Sequence, residues 1–212
     1  MNPVTEAFAR LRVVPVVVLE RAEHAAALGQ ALKTGGLPCA EITFRTDAAE
    51  EALRTLSRDD DLLVGAGTVL SAEQVDRALE AGARFIVTPG FSPAVVERCR
   101  VRGVVVYPGV ATPTEIQMAL EVGVTEVKFF PAEPAGGARA LQAIAAPYSM
   151  MRFIPTGGIT PANLKGYLEQ KAVLAVGGSW LVAPELIAVQ DFEEIRRRTA
   201  AAVQLVKPYL VK

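Results

Sequence analysis

Apolar and polar positions along this chain repeat at two periods. Short runs rich in β-branched residues alternate with longer stretches in which Ala, Leu and Glu recur at helical spacing. The runs predict eight strands: Val13–Leu19, Cys39–Arg45, Leu62–Gly65, Phe85–Thr88, Val104–Tyr107, Glu126–Phe130, Arg152–Pro155 and Val173–Val176. The intervening stretches predict helices over 21–34, 48–57, 72–81, 93–102, 113–122, 137–145, 161–169 and 191–207, with an extra one ahead of the first strand over 3–11.

Punctuation supports these boundaries. Ser71 to Gln74 and Thr112 to Glu115 have capping-box spacing. Pro93, Pro113 and Pro161 each follow a Ser or Thr and suit the first helical position, while Gly35, Gly82, Gly103 and Gly123 fall where helices end in a left-handed residue. Strand–helix alternation repeated eight times implies parallel strands joined by helical crossovers. The fold class expected is therefore α/β, a (β/α)8 TIM barrel with an extra N-terminal helix, forming one domain over 1–212. A doubly wound open sheet is the alternative. Its usual G-x-G-x-x-G fingerprint is absent, Gly65-Ala66-Gly67 coming nearest without the third glycine.

Composition narrows the function. Hydrophobic residues are 51% of the 212 and aromatics 6%, so the core must be built from Val, Leu, Ile and Ala. A net charge of −1 supplies no basic surplus for nucleic-acid binding by counterion release. The longest early apolar run, Val13 to Leu19, is far short of the roughly 20 residues a membrane span needs. Residues 1–12 lack the apolar segment of a signal peptide, so a soluble, cytoplasmic protein is expected. Two cysteines, Cys39 and Cys99, exclude a disulfide framework or a cysteine-based zinc site. The single histidine, His24, excludes a histidine-cluster metal site and disfavours a histidine-based triad.

Barrels carry their chemistry at the C-terminal strand ends. On strand two, alternation puts Glu41, Thr43 and Arg45 on one face and Ile42 and Phe44 on the other. Glu41 and Arg45 then point inward, as functional groups or as a structural ion pair. Lys128, amid Val127, Phe129 and Phe130, is the sharpest anomaly. Burial favours a neutral amine that attacks carbonyls; the alternative is a lysine reaching out from a strand end. Paired glycines follow the last two strands, Gly157-Gly158 and Gly177-Gly178 with Ser179. They read as turns or as a backbone cradle for an anion, helped by a helix opening near Thr160-Pro161. Thr68, after Gly65-Ala66-Gly67, offers a hydroxyl or serves a turn; Pro89-Gly90 and Pro108-Gly109 read chiefly as turns. His24, Cys39, Cys99 and Trp180 read as structural.

At these residues the chain resembles the family of 2-keto-3-deoxy-6-phosphogluconate (KDPG) aldolase and 4-hydroxy-2-oxoglutarate (KHG) aldolase. The resemblance is carried by Glu41-Ile-Thr-Phe-Arg45-Thr46, Gly65-Ala-Gly-Thr68-Val-Leu, Val87-Thr-Pro89-Gly90, Tyr107-Pro-Gly-Val-Ala-Thr-Pro-Thr-Glu115, Val127-Lys128-Phe-Phe-Pro-Ala-Glu133, Pro155-Thr-Gly-Gly-Ile159 and Val176-Gly-Gly-Ser-Trp180. Pro134 is less usual after the lysine motif. The resemblance implies a metal-independent class I aldolase without cofactor, a homotrimer whose other partners are small molecules: pyruvate, a phosphorylated keto acid and glyceraldehyde 3-phosphate. It implies Lys128 as the imine-forming lysine and Glu41 as the acid/base. It assigns Arg45, Thr68 and Pro89 to the carboxylate end of the keto acid, and Gly157, Gly158 and Ser179 to the phosphate. A phosphate-barrel isomerase or epimerase, and a non-catalytic barrel binding a phosphorylated sugar acid, are the alternatives.

Overall fold

A computed structural model describes residues 2–210; Met1, Val211 and Lys212, which the expected domain 1–212 includes, lie outside the described residues. The strands are β1 (Val13–Val17), β2 (Cys39–Thr43), β3 (Leu63–Gly67), β4 (Phe85–Val87), β5 (Val105–Tyr107), β6 (Gly109–Val110), β7 (Glu126–Phe129), β8 (Arg152–Pro155) and β9 (Val176–Gly178). The helices are α1 (Pro3–Leu11), α2 (Ala25–Thr34), α3 (Ala49–Leu56), α4 (Ala72–Glu80), α5 (Pro93–Arg102), α6 (Pro113–Glu121), α7 (Gly137–Ala145), α8 (Leu164–Leu168), α9 (Pro184–Ala188) and α10 (Phe192–Val206).

All strand pairs are parallel. One hydrogen-bonded run follows the order β5-β4-β3-β2-β1-β9 and a second runs β6-β7-β8. Two features close the ring. β5 and β6 are halves of one stave interrupted at Pro108, whose carbonyl accepts the Lys128 N–H at 2.9 Å. On the other side, bridges Phe153↔Val173 and Thr156↔Gly177 join the β8 stave to the β9 stave. The result is the expected eight-stave barrel with an N-terminal helix. The open-sheet alternative would leave edges here.

Two apolar layers hold it. Outside, helix faces spaced at three and four residues, such as Ala25, Leu28 and Leu32 of α2 or Ala49, Ala52, Leu53 and Leu56 of α3, pack on the strands. Inside, Val14, Cys39, Leu63, Phe85, Tyr107 and Ile154 fill the lower barrel, and Val4 and Phe8 of α1 plug it from below. Helix α1 is set by Asn2, whose side chain accepts the Val4 N–H at 2.8 Å, and by Pro3 in its first turn. It ends at Arg12, φ 62°, whose buried guanidinium donates to the carbonyls of Val173 and Leu174.

Several expected boundaries move. β2 stops at Thr43, so Arg45 lies in the following turn. The last strand is Val176–Gly178, three residues later than Val173–Val176, because its register with Val13, Val14 and Pro15 starts at Val176. Pro161 sits in a turn and its helix begins only at Leu164. Gly35 is right-handed at φ −76°; the left-handed residue is Gly36, φ +92°. Helix α9 has no counterpart in the expected set. Thr112 and Glu115 form the full capping box, whereas Gln74 turns back to the Leu70 N–H and only Ser71 caps α4.

Candidate active site

Lys128 and Glu41 meet inside the barrel although 87 residues separate them. The Lys128 Nζ donates to Glu41 Oε1 at 3.2 Å, with side chains only 6% and 5% exposed. Burying both charges is tolerable because each satisfies the other; removing one leaves a buried orphan. Glu41 therefore pairs with Lys128, not with Arg45, and the ion-pair alternative drawn within strand two is replaced by one across the barrel. Two neighbours make room. A Cβ on Gly67 would lie 2.1 Å from Glu41 Oε1, so β3 must carry glycine beside the carboxylate. The Phe130 ring centroid lies 5.1 Å from Lys128 Nζ, within cation–π range.

A pocket of about 280 Å³ opens from this pair. Its wall includes Lys128, Arg45, Thr68, Pro89, Gly157, Gly158 and Ser179, so every substrate-contact residue nominated from the sequence faces one cavity. Arg45 is exposed at the rim. Its turn is anchored by the Phe44 N–H donating to the Gly67 carbonyl at 2.7 Å and by the Thr46 hydroxyl on the Leu19 carbonyl. Thr68 adopts φ 56°, a left-handed conformation that costs a non-glycine residue energy and clusters at functional sites. It is neither a strand residue nor a helix cap, since Ser71 caps α4. The Pro89-Gly90 turn is held by the buried Thr88, whose hydroxyl donates to the Gly90 carbonyl at 2.6 Å and accepts the Gly109 N–H at 3.3 Å. Gly109 is bare for the same reason: a Cβ there would stand 2.1 Å from the Pro89 carbonyl oxygen.

The two glycine pairs differ. Gly157 and Gly158 have φ +101° and +78°, a tight left-handed turn that only glycine adopts readily. Gly177 and Gly178 lie within β9, paired with Val14 and Pro15. They are glycines because a Cβ would strike the Thr156 hydroxyl at 2.2 Å or the Trp180 ring at 1.9 Å. The helix N-terminus expected near Thr160 also falls away: the Thr160 N–H goes to Asn163 Oδ1 at 2.8 Å, and α8 is five residues long. An anion cradle here is thus a matter of turn backbone and of Ser179, which stands at the N-cap of a 3-10 turn over Trp180–Val182, rather than of a helix opening near Thr160.

Gly177, one of the paired glycines read as a turn or an anion cradle, lines the pocket too; Val16, Phe130, Thr156 and Ile159 also line it and were not nominated. Phe130 stood in the lysine motif, and Thr156 directly precedes the glycine pair; the others carry no sequence signal beyond apolarity. Elsewhere, burial pushes the Cys39 thiol up, with Glu41 adding to the effect, and pushes Cys99 up to about 12, so both stay protonated. His24 is buried with its ring centroid 6.1 Å from that of Phe192. Among the described residues no three His, Cys, Asp or Glu gather as a metal site, and no helix is long and apolar enough to cross a membrane.

Comparison with known proteins bears on what this pocket is. A family profile described as "KDPG and KHG aldolase" matches residues 4–198. The chain belongs to the KDPG and KHG aldolase family. Within that family it is 49% identical over 207 residues to the 2-dehydro-3-deoxy-phosphogluconate aldolase of Treponema pallidum (strain Nichols), covering 97% of this chain and 99% of the other. Its fold superposes with a TM-score of 0.91 on a crystal structure of KDPG aldolase from Legionella pneumophila with pyruvate captured at low pH as a covalent carbinolamine intermediate. That protein is 37% identical, with 95% of this chain and 98% of that one covered. A crystal structure of the KDPG aldolase of Zymomonas mobilis ZM4 with 3-phosphoglycerate superposes with a TM-score of 0.90 at 36% identity, covering 98% of both chains. The barrel of these aldolases is therefore reproduced over 95% and 98% of this chain in the two superpositions.

Proposed function

We propose that this protein is a metal-independent class I aldolase that cleaves KDPG to pyruvate and glyceraldehyde 3-phosphate, using one barrel domain over its whole length. The observation that carries the reading is a buried amine, Lys128, hydrogen-bonded to a buried carboxylate, Glu41, beside a pocket with a guanidinium at its rim. An isomerase or a sensing barrel needs no such amine.

In this reading Lys128 attacks the C2 carbonyl once its proton has moved to Glu41 or to water. Glu41 then returns protons, directly or through a water, so that the carbinolamine loses hydroxide as water and a cationic imine forms. A base removes the C4 hydroxyl proton, the C3–C4 bond breaks, and its electron pair enters the imine to give an enamine. Glyceraldehyde 3-phosphate leaves. Protonation of the enamine carbon and hydrolysis release pyruvate and restore the amine. Arg45 holds the keto-acid carboxylate bidentately, with Thr68 and Pro89 completing that end. The Gly157-Gly158 backbone and the Ser179 hydroxyl receive the phosphate. The shorter 4-hydroxy-2-oxoglutarate, which the family description includes, fits the same amine without reaching the turn. We further propose a homotrimer acting in the cytoplasm. The trimer rests on the family resemblance, and the compartment on two free, buried thiols.

Ser179→Asp tests the assignment of the phosphorylated substrate. A carboxylate in the cradle opposes the phosphate, a like-charge contact worth several kcal/mol, so kcat/KM for KDPG should fall on the order of 100-fold. Cleavage of 4-hydroxy-2-oxoglutarate should change little. Equal losses on both substrates would mean that the turn does not meet a phosphate.

A further inference from the structure

We propose that Tyr167 and Glu133 are positioning residues for the Gly157-Gly158 turn, latching it to the loop that follows the lysine's strand. The proposal rests on the reading above, that this turn receives the substrate phosphate.

Two successive glycines at positive φ give a turn with no side chains of its own to hold it. Backbone amides serve an anion only when they are held in place. Gly157 faces the Phe130 ring and the Ala132 backbone, the Gly158 carbonyl accepts from Asn163 Nδ2 at 3.0 Å, and the open side of Gly158 is covered by Glu133. The stem of Glu133 lies over Gly158, where a Cβ would stand 2.7 Å from the Glu133 Cβ. Glu133 is itself exposed, and a free glutamate stem on a surface would wander. Its carboxylate is fixed by the hydroxyl of Tyr167, a fully buried residue of α8, which donates to Glu133 Oε1. Burial first, and the bond to Glu133 second, push the Tyr167 phenol well above its ordinary range, so it remains a donor.

Main-chain bonds complete the joint. Ala132 N–H donates to the Thr156 carbonyl at 2.8 Å and Glu133 N–H to the Gly157 carbonyl at 3.0 Å. Residues 131–133 follow one residue after β7, which carries Lys128. The latch thus fixes the spacing between the amine and the turn, a spacing that matters only to a substrate long enough to touch both. Neither Tyr167 nor Glu133 lines the pocket.

The test compares kcat and KM on KDPG and on 4-hydroxy-2-oxoglutarate, with exchange of pyruvate methyl protons in deuterated water as a readout of the amine and carboxylate alone. Tyr167→Phe and Glu133→Ala each remove the side-chain bond, and should raise KM for KDPG about tenfold while kcat, the shorter substrate and the exchange stay near wild type. Glu133→Gln keeps an acceptor oxygen and should behave as wild type. The double variant Tyr167→Phe/Glu133→Ala should be no worse than Glu133→Ala alone, because that variant already removes both the bond and the stem over Gly158. Glu133→Ala changes an exposed residue, so it tests the latch even if Tyr167→Phe loosens the core. Equal losses on both substrates, or an unchanged KM for KDPG in both single variants, would overturn the latch while leaving the aldolase reading intact. A wild-type protein that exchanges pyruvate protons but ignores KDPG would overturn the phosphate reading, and the latch with it.

Discussion

At the lower mouth of the barrel, Phe8 of α1 packs edge-on against Phe85 at 5.0 Å between ring centroids and lies 5.2 Å from the Tyr107 ring. A polar contact there, Thr5 Oγ1 with the Tyr107 hydroxyl at 2.9 Å, is closed on itself. At the upper mouth the same strands present a lysine, a carboxylate, an arginine rim and a turn of bare backbone. β2 shows the change within two residues: Cys39 belongs to the apolar plug and Glu41 to the ion pair above it. The plug packs the barrel below the Lys128–Glu41 pair, and the pocket opens beside it above. The lower end is built of apolar packing and the upper end of charged groups and bare backbone, so variants at each end should fail in different ways.

The largest effect is expected from Glu41→Gln. Glutamine keeps the shape and the contact to Lys128 but cannot carry the proton, so turnover and pyruvate proton exchange should fall about 10²- to 10⁴-fold, with pyruvate binding much less affected. Wild-type exchange in this variant would remove Glu41 from the chemistry. The opposite end responds in the opposite currency. Phe8→Ala opens a cavity in the plug and should cost about 3–5 kcal/mol in denaturant unfolding. Its kcat in the folded protein should remain near wild type; a collapse of kcat would show that the two ends are not separable. Arg45→Lys should have the smallest effect. Lysine keeps the charge and loses the two-pronged grip, so the pyruvate concentration needed for imine trapping should rise about tenfold, the equivalent of one charged hydrogen bond. Thermal melting should not move, because Arg45 is exposed. A variant that unfolds would return Arg45 to a structural role.

The layout of the barrel was legible because strands and helices differ in period, and eight repeats leave few topologies open. Glu41, Arg45 and Lys128 were legible because charge inside apolar runs is costly and so conspicuous, and the glycine pairs by their place at two strand ends, whereas Thr68 and Pro89 were assigned a role only through the family resemblance. What escaped was set by contacts between distant segments. The Glu41–Lys128 pair spans 87 residues, and nothing local to either reveals the other. Arg45 was carried onto the strand by an alternation that continues past Thr43, where the chain in fact turns. The last strand was set three residues early because Val173–Val176 reads apolar while Gly177 and Gly178 look like loop. Those glycines are in the sheet because Thr156 and Trp180 press against it, a reason written elsewhere in the chain. Gly67 and Gly109 carried the same kind of message, each bare beside a group that approaches it.

The account turns on Lys128 as the nucleophile. Incubation with pyruvate and borohydride, followed by digestion and mass mapping, tests this directly. Reduction of an imine should add one pyruvate-derived 1-carboxyethyl group to the peptide containing Lys128, Phe129 and Phe130, and Lys128→Met should abolish the label. Label on Lys33, Lys165 or Lys171, or a wild-type protein that takes none, would contradict the mechanism.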